Sequence, residues 1–312
     1  MDFDLSEEQQ GVLDAVEALL DRYAGPKRAI ALQAEGGAYD FELEQALGEA
    51  GYLEIGQELG RLEAVLLIES VARHAGVAAV AARVLGARLA PEAAKWDCPL
   101  AIVDARHSGP VRYGAVARTL LVDAGDEARV VSVPEGRVEP VRSNFGFPMG
   151  RLPADGVTGG QGLGPGSGAR LRELWRLGLA AEVVGAMDAA LSHTVEYLKD
   201  RRQFGRAIGS FQAVQHRLAE CAIEVEASRW LVREAADREG AAEVVSVAAA
   251  FALDASGRVF AETHQLSGAI GFTREHDLHV WSMRLQALRQ ELGGVQGHRR
   301  AVVAERWMGA AG

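Results

Sequence analysis

Residues 200–220 read DRRQFGRAIGSFQAVQHRLAE. Two arginines and a phenylalanine close one helical pattern, and a glycine turn opens the next. An arginine guanidinium is a rigid fork of donors matched to phosphate, and the backbone N–H groups at a helix start favour anions. Arg201 and Arg202 beside Phe204 therefore fit an anion attached to a ring system. Ser210 or a neighbour would cap the following helix. Gln212 and Gln215 fall in its first turns, where amides serve better as hydrogen-bonding groups than as core. A solvated turn between two helices explains the same residues equally well.

The other candidate patterns are weaker. DGVTGGQGLGPGSG (155–168) is glycine-rich, but no Gly-Lys-Ser/Thr follows, and a flexible linker is expected rather than a phosphate loop. Glu275, His276 and His279 in EHDLH lack a third ligand, so no metal is expected and these side chains are read as structural. Cys98 and Cys221 supply neither a ligand set nor a disulfide framework and fit a reducing, cytoplasmic setting. Trp230, Trp281 and Trp307 lie on helical patterns and are expected in packing or at interfaces. A net charge of −10 argues against nucleic-acid binding, which needs a clustered surplus of Lys and Arg. The start of the chain shows no basic and apolar leader pattern. No uncharged apolar stretch approaches the length of a bilayer span, so no membrane partner is expected.

These residues must be positioned by helices. With 312 residues, 48% of them hydrophobic, the chain can bury more than one core. Ser6 with Gln9 forms a capping signature ahead of apolar positions Val12, Leu13, Val16, Leu19 and Leu20. Helical patterns follow at 40–54, 60–76 and 77–89. Short Val-rich runs at 99–105, 109–116, 119–125, 129–136 and 138–143, punctuated by Gly, Pro and Asp, then predict strands. Long helical patterns at 171–200, 211–239, 241–268 and 276–294, joined by short connections, predict an antiparallel bundle. The expected organisation is a helical region (1–96), a small β domain (97–158), a linker (159–168) and a C-terminal bundle (169–312).

YLKDRRQFGRAIGSFQAVQHRLAE resembles the signature of the acyl-CoA dehydrogenase family, and HQLSGAIGFTREHDLHVWSMR resembles its second signature. The order of regions is also similar to that family: an N-terminal helical domain, a middle β domain that is shortened here, and a C-terminal four-helix bundle. The fold class is thus mainly α with a small β domain. The resemblance implies FAD bound at a subunit interface. It implies Arg201 on the diphosphate, Phe204 beside the cofactor and Gln212 as a polar contact. Gln265 and Gly268 would lie near the pyrophosphate and adenosine, and Gln296 would be a further FAD contact. The implied reaction is α,β-dehydrogenation of an acyl-CoA thioester: a carboxylate removes the α-proton and hydride passes to the flavin. An electron-accepting flavoprotein is the implied redox partner. The base needs a partly desolvated site.

Two positions carry that carboxylate in the family, and both differ here. Leu292 stands at the usual one, with Glu291 one residue earlier. Trp175 stands at the alternative one, followed by Arg176, which matches the family's arginine and is expected on the substrate side. A one-residue shift of the turn would bring Glu291 into place; Glu173, two residues from Trp175, points about 200° away around the helix. A glutamate on an exposed helix surface explains either residue as well. The middle region also lacks any segment of the type TEP-x-A-GSD, which lines the flavin in the family. Both departures, and TREHDLH itself, resemble the short subunits of heteromeric steroid-CoA dehydrogenases of actinobacteria. A longer paralogue would then be the partner in a heterotetramer and supply the base. A homo-oligomer using Glu291, or a catalytically silent scaffold, are the alternatives.

Overall fold

The Ser6 hydroxyl accepts from the Gln9 amide at 3.1 Å while the Gln9 side chain accepts from the Ser6 amide at 3.0 Å, a reciprocal cap that starts α1 (Glu7–Tyr23). The computed structural model describes residues 5–153 and 156–308; the outermost residues of the expected domain bounds, with Ala154 and Asp155, lie outside these. The first region continues with α2 (Pro26–Ala34), α3 (Phe41–Glu49), α4 (Ile55–Glu58), α5 (Arg61–Arg73) and α6 (Val80–Gly86).

The β region contains β1 (Leu100–Asp104), β2 (Val111–Arg112), β3 (Thr119–Asp123), β4 (Glu127–Ser132), β5 (Glu139–Val141), β6 (Met149–Arg151) and β7 (Gln161–Pro165). One sheet runs β1-β3-β4-β7, with β1 parallel to β3 and the other pairs antiparallel; a second runs β2-β6-β5. The glycine-rich segment expected as a linker contains, in its described part, the strand β7 and runs directly into α7. Its glycines allow close approach rather than freedom: a Cβ on Gly160 would stand 2.4 Å from the Val130 carbonyl oxygen, and one on Gly162 2.3 Å from Glu127.

The bundle is built on α7 (Ser167–Asp200), whose residues from Leu171 to Leu191 are almost all buried. A helix buried on nearly every side must be enclosed, and α7 packs on α5, on α6 and on the first three of the four helices that follow. Those are α8 (Gln212–Asp237), α9 (Ala242–Ser267), α10 (Leu278–Leu288) and α11 (Gly294–Val303), with a small hairpin, β8 (Arg202–Gln203) and β9 (Arg206–Ala207), between α7 and α8. Ion pairs from Arg217 to Glu262 (2.5 Å) and from Arg258 to Glu224 (2.9 Å) fix α8 and α9 antiparallel. The segment Ala242–Phe272 is long and apolar enough for a membrane span by length and composition, although Glu243, Asp254, Arg258 and Glu262 interrupt it. Its apolar character is accounted for by contacts with α7, α8 and α11.

Candidate active site and cofactor edge

Between the β region and α7 lies a cavity of about 680 Å³, a size common for small-molecule sites. Most of its helical wall is one stripe of α7, Leu174, Trp175, Gly178, Leu179 and Glu182, at the i, i+3, i+4 spacing of a single helix face, with Ala81 and Ala82 of α6 and Ala287 of α10 beside it. β1 and β2 form the opposite wall, and the turn Glu291–Gly293 between α10 and α11 completes it. Leu292 in that turn has φ 52° and ψ 35°, left-handed and strained for a branched side chain.

The polar groups of the cavity form one chain. Arg112 Nε donates to Glu291 Oε1 at 2.6 Å and its Nη2 to Glu291 Oε2 at 3.4 Å, while Nη1 donates to Glu182 Oε1 at 2.8 Å. The Trp175 indole donates to Glu291 Oε2 at 2.6 Å. The Arg112 guanidinium also lies over the rings of Tyr113 and Phe147 at 5.2 and 5.1 Å. Burial works against its charge, and the two carboxylates outweigh it, so Arg112 is held cationic. Burial raises the Glu182 carboxyl above its ordinary value, and Arg112 opposes this only in part. Glu182 is 8% exposed, and its Oε2 has no hydrogen-bond partner among the described residues.

Glu291 therefore faces the cavity, but both its oxygens are engaged, and taking a proton means giving up one of these hydrogen bonds. Arg176 is not part of the cavity lining. One residue on from Trp175 turns the side chain about 100°, and its guanidinium pairs with Glu305 at 3.5 Å. Glu173 is buried rather than exposed and pairs with Arg61 at 2.7 Å. Arg112 and Glu182 escaped the sequence reading. Arg112 sits in a strand of two residues, too short for a pattern, but Glu182 had a signal: a lone carboxylate inside the apolar run LGLAAEVVGAM needs a partner.

The other candidates lie at the edge of the bundle. Arg201 caps α7, and its side chain is exposed without an ion pair or hydrogen bond among the described residues. Phe204 and Gly205, at φ 56° and 78°, form the two-residue loop of the β8–β9 hairpin, and the Phe204 ring is 89% exposed. A phenylalanine held left-handed with its ring in solvent is the kind of local strain found at functional positions. Gln212 begins α8, exposed. The antiparallel register set by Arg217 and Glu262 puts it at the same end of the bundle as Gln265 and Gly268, which are exposed at the end of α9. Gln296 on α11 is separate. Its neighbour Arg299 pairs with Asp254 at 2.9 Å, roughly 16 Å along α9 from Gln265. A free guanidinium, an exposed ring and exposed amides at one end suit a diphosphate joined to an aromatic group.

Of the EHDLH residues, His276 lies against His193, with ring nitrogens 3.3 Å apart, and His279 Nδ1 is 2.9 Å from the His276 carbonyl oxygen. Among the described residues no His, Cys, Asp or Glu cluster has the makings of a metal site.

Helices on either side of a small sheet region, with a cavity between the sheet region and the bundle, are the architecture of the acyl-CoA dehydrogenase fold. The chain belongs to the acyl-CoA dehydrogenase family, oxidoreductases that act on acyl-CoA. Residues 173–308 match the family's C-terminal domain. The whole chain is similar to acyl-CoA dehydrogenase IpdE2 of Mycobacterium tuberculosis, 31% identical with 96% of this chain and 98% of that protein aligned. Among solved structures it is similar to a chain of the ChsE4–ChsE5 complex of Mycobacterium tuberculosis (25% identity, 98% of each chain, TM-score 0.84). It is also similar to a chain of the Tcur3481–Tcur3483 steroid ACAD (25% identity, 98% and 99% covered, TM-score 0.85). Family membership implies FAD.

Proposed function

We propose that this chain is one subunit of an FAD-dependent acyl-CoA dehydrogenase that catalyses α,β-dehydrogenation of an acyl-CoA thioester. It assembles with a longer paralogue into a heterotetramer and acts on a bulky, steroid-derived ester, with the FAD site shared across the interface. The observation that carries this reading is the unpaired, exposed set Arg201, Phe204, Gln212, Gln265 and Gly268 at one end of the bundle. Gly268 caps α9 and the Phe204 ring meets Phe211 edge-on, while the Arg201 guanidinium and the Gln212 and Gln265 amides supply donors that fit the diphosphate of a cofactor seated against a neighbour. Gln296 stands apart from them and would contact FAD at a second place.

When bound, FAD supplies the hydride acceptor. This chain's contribution is to hold it: Arg201 neutralises the diphosphate, Phe204 covers a ring face, and the amides orient the rest. Glu291 is committed to Arg112 and Trp175, which favours a base from the paralogue. The structural relatives point the same way, since both are two-component complexes by name and one is a steroid enzyme. Electrons would leave through an electron-accepting flavoprotein.

The test is co-expression with the longer paralogue. A yellow complex of heteromeric mass that oxidises an acyl-CoA is expected, and Arg201→Ala should lose its flavin while still assembling. Full flavin occupancy in Arg201→Ala overturns the role of Arg201. A yellow homo-oligomer of this chain, active alone and inactivated by Glu291→Gln, overturns the heteromer. A complex that forms without flavin leaves the chain a scaffold.

A further inference from the structure

Arg112 and Trp175 form a seat for a carboxylate. Arg112 Nε and Nη2 and the Trp175 indole donate to the two oxygens of Glu291 at 2.6, 3.4 and 2.6 Å. The seat is built by β2 and α7, and neither side depends on Glu291. Arg112 is also fixed by Glu182 at 2.8 Å and lies over the rings of Tyr113 and Phe147, while Trp175 is buried along α7. The donors would therefore stay in place if their occupant left. They also open on the cavity: the side chains of Arg112 and Glu291 are 13% and 16% exposed, and both belong to its lining.

Glu291 reaches this seat from a turn that is held under strain. Leu292 is left-handed at φ 52°, and Gly293 and Gly294 follow at φ 81° and 66°. A left-handed leucine persists only where its surroundings impose it, and the adjacent carboxylate accepts three hydrogen bonds from the opposite walls. Apart from Glu182, which accepts from Arg112, the other polar side chains of the lining sit toward solvent. Arg106, His107, Arg142 and Gln290 are exposed, Arg106 pairs with Asp104 at 2.7 Å, and the Ser143 hydroxyl accepts from the Phe145 amide at 3.1 Å.

We propose that Glu291 is a latch on a ligand seat: an apolar molecule bearing a carboxylate enters the cavity, takes the donors of Arg112 and Trp175, and sets the turn Glu291–Gly293 free. One carboxylate replaces another, so the charge beside Arg112 and its hydrogen bonds are kept. A neutral or cationic head group would leave the arginine fork unmatched. The carboxylate belongs either to a second acid group on the acyl part of the thioester substrate or to a free acid that controls the turn. The first case rests on the function proposed above; the second does not.

The test uses 1-adamantanecarboxylate and its uncharged isostere 1-adamantanecarboxamide, by calorimetry on the full chain at pH 8. The wild-type protein should bind the carboxylate weakly, because only the fraction with an open seat takes it. Glu291→Ala should bind it at least about tenfold more tightly, with little change for the carboxamide. Adding Arg112→Gln and Glu182→Gln to Glu291→Ala removes the seat without stranding a charge, and the preference for the carboxylate should vanish. Hydrogen exchange of residues 289–297 reads the latch in the wild-type protein, and it should quicken with the carboxylate bound and not with the carboxamide. No binding of the carboxylate by the wild-type protein, no tightening in Glu291→Ala, a preference that survives the triple variant, or exchange unmoved at saturation overturns the inference. In the co-expressed complex, kcat/KM for acyl thioesters with and without a second carboxylate separates the two sources. A ratio raised by Glu291→Ala assigns the carboxylate to the substrate, and a ratio unmoved while adamantanecarboxylate binds more tightly assigns it to a free acid. Binding and exchange are read without flavin or partner, so a failure of the function proposed above is seen separately, as a complex without flavin.

Discussion

The Trp175 indole donates to the Glu291 carboxylate across 2.6 Å, joining the middle of the cavity wall on α7 to the turn after α10. By the resemblance drawn from the sequence, Trp175 is expected at one of the two places where the family's base is carried, and Glu291 one residue from the other. Here they hold each other. Trp175→Phe removes the donor and leaves an oxygen of Glu291 short of a partner; a loss of roughly 1–2 kcal/mol is expected in denaturant melts. No loss would mean that the contact is dispensable.

Arg112 is the counter-charge for two carboxylates, Glu182 and Glu291. Replacing it with methionine leaves both facing one cavity without it, and about 3–5 kcal/mol of stability should go. Adding Glu182→Gln and Glu291→Gln to Arg112→Met should recover much of that. A triple variant no more stable than the single one would show that packing of the arginine over Tyr113 and Phe147, not charge, is what matters.

Gly185 lets α7 lie against α5, since a Cβ there would stand 2.1 Å from the Glu69 carbonyl oxygen. Gly185→Ala must push the two helices apart, and a loss of about 1–3 kcal/mol follows, toward the upper end because the obstacle is backbone. A thermal melt within experimental error of the wild-type protein would contradict the close approach.

His298 is fully buried and its ring is held down to about 4, by burial and then by Arg176. The unfolded chain takes up that proton near pH 6.5. Stability is therefore intact above about pH 6.5 and declines as pH falls toward 4, by on the order of 2–3 kcal/mol from this residue. Burial lowers His193, His264 and His276 in the same direction. Unfolding free energy measured from pH 8 to 4 should show this slope, and His298→Gln should flatten it.

Phe204 sits at φ 56°, where glycine rests without strain. Phe204→Gly should stabilise the isolated chain by about 1 kcal/mol and weaken flavin retention in the assembled enzyme. Both effects are read from one preparation, by melting and by absorbance. A variant that gains stability and keeps its flavin would remove Phe204 from the cofactor site.

Most helices and about half of the strands were legible because their signals are local: the Ser6–Gln9 cap, the Val-rich runs and the long apolar faces; α2 and α11, short and without such a face, were not. β7 was not, since a strand made of glycine has no side-chain alternation and is defined by its neighbour β4. The turn that carries Arg201, Phe204 and Gln212 was legible through its motif, since these residues lie within one hairpin and helix start. The cavity chain was not, because Arg112, Glu182 and Glu291 are far apart in sequence and meet only through tertiary packing. A single charged residue within an apolar helix marked the place without revealing its partners.

β7 ends at Pro165 and α7 begins at Ser167, whose hydroxyl accepts from the Ala128 amide of β4 at 2.8 Å. The sheet and the longest helix are thus spliced with no slack at the β4–β7 edge, which ties that edge of the sheet to the start of α7. Entry and exit of a ligand must work through the rim, where Arg106, His107 and Arg142 are exposed. The turnover of a bulky guest would then be limited by how fast that rim yields.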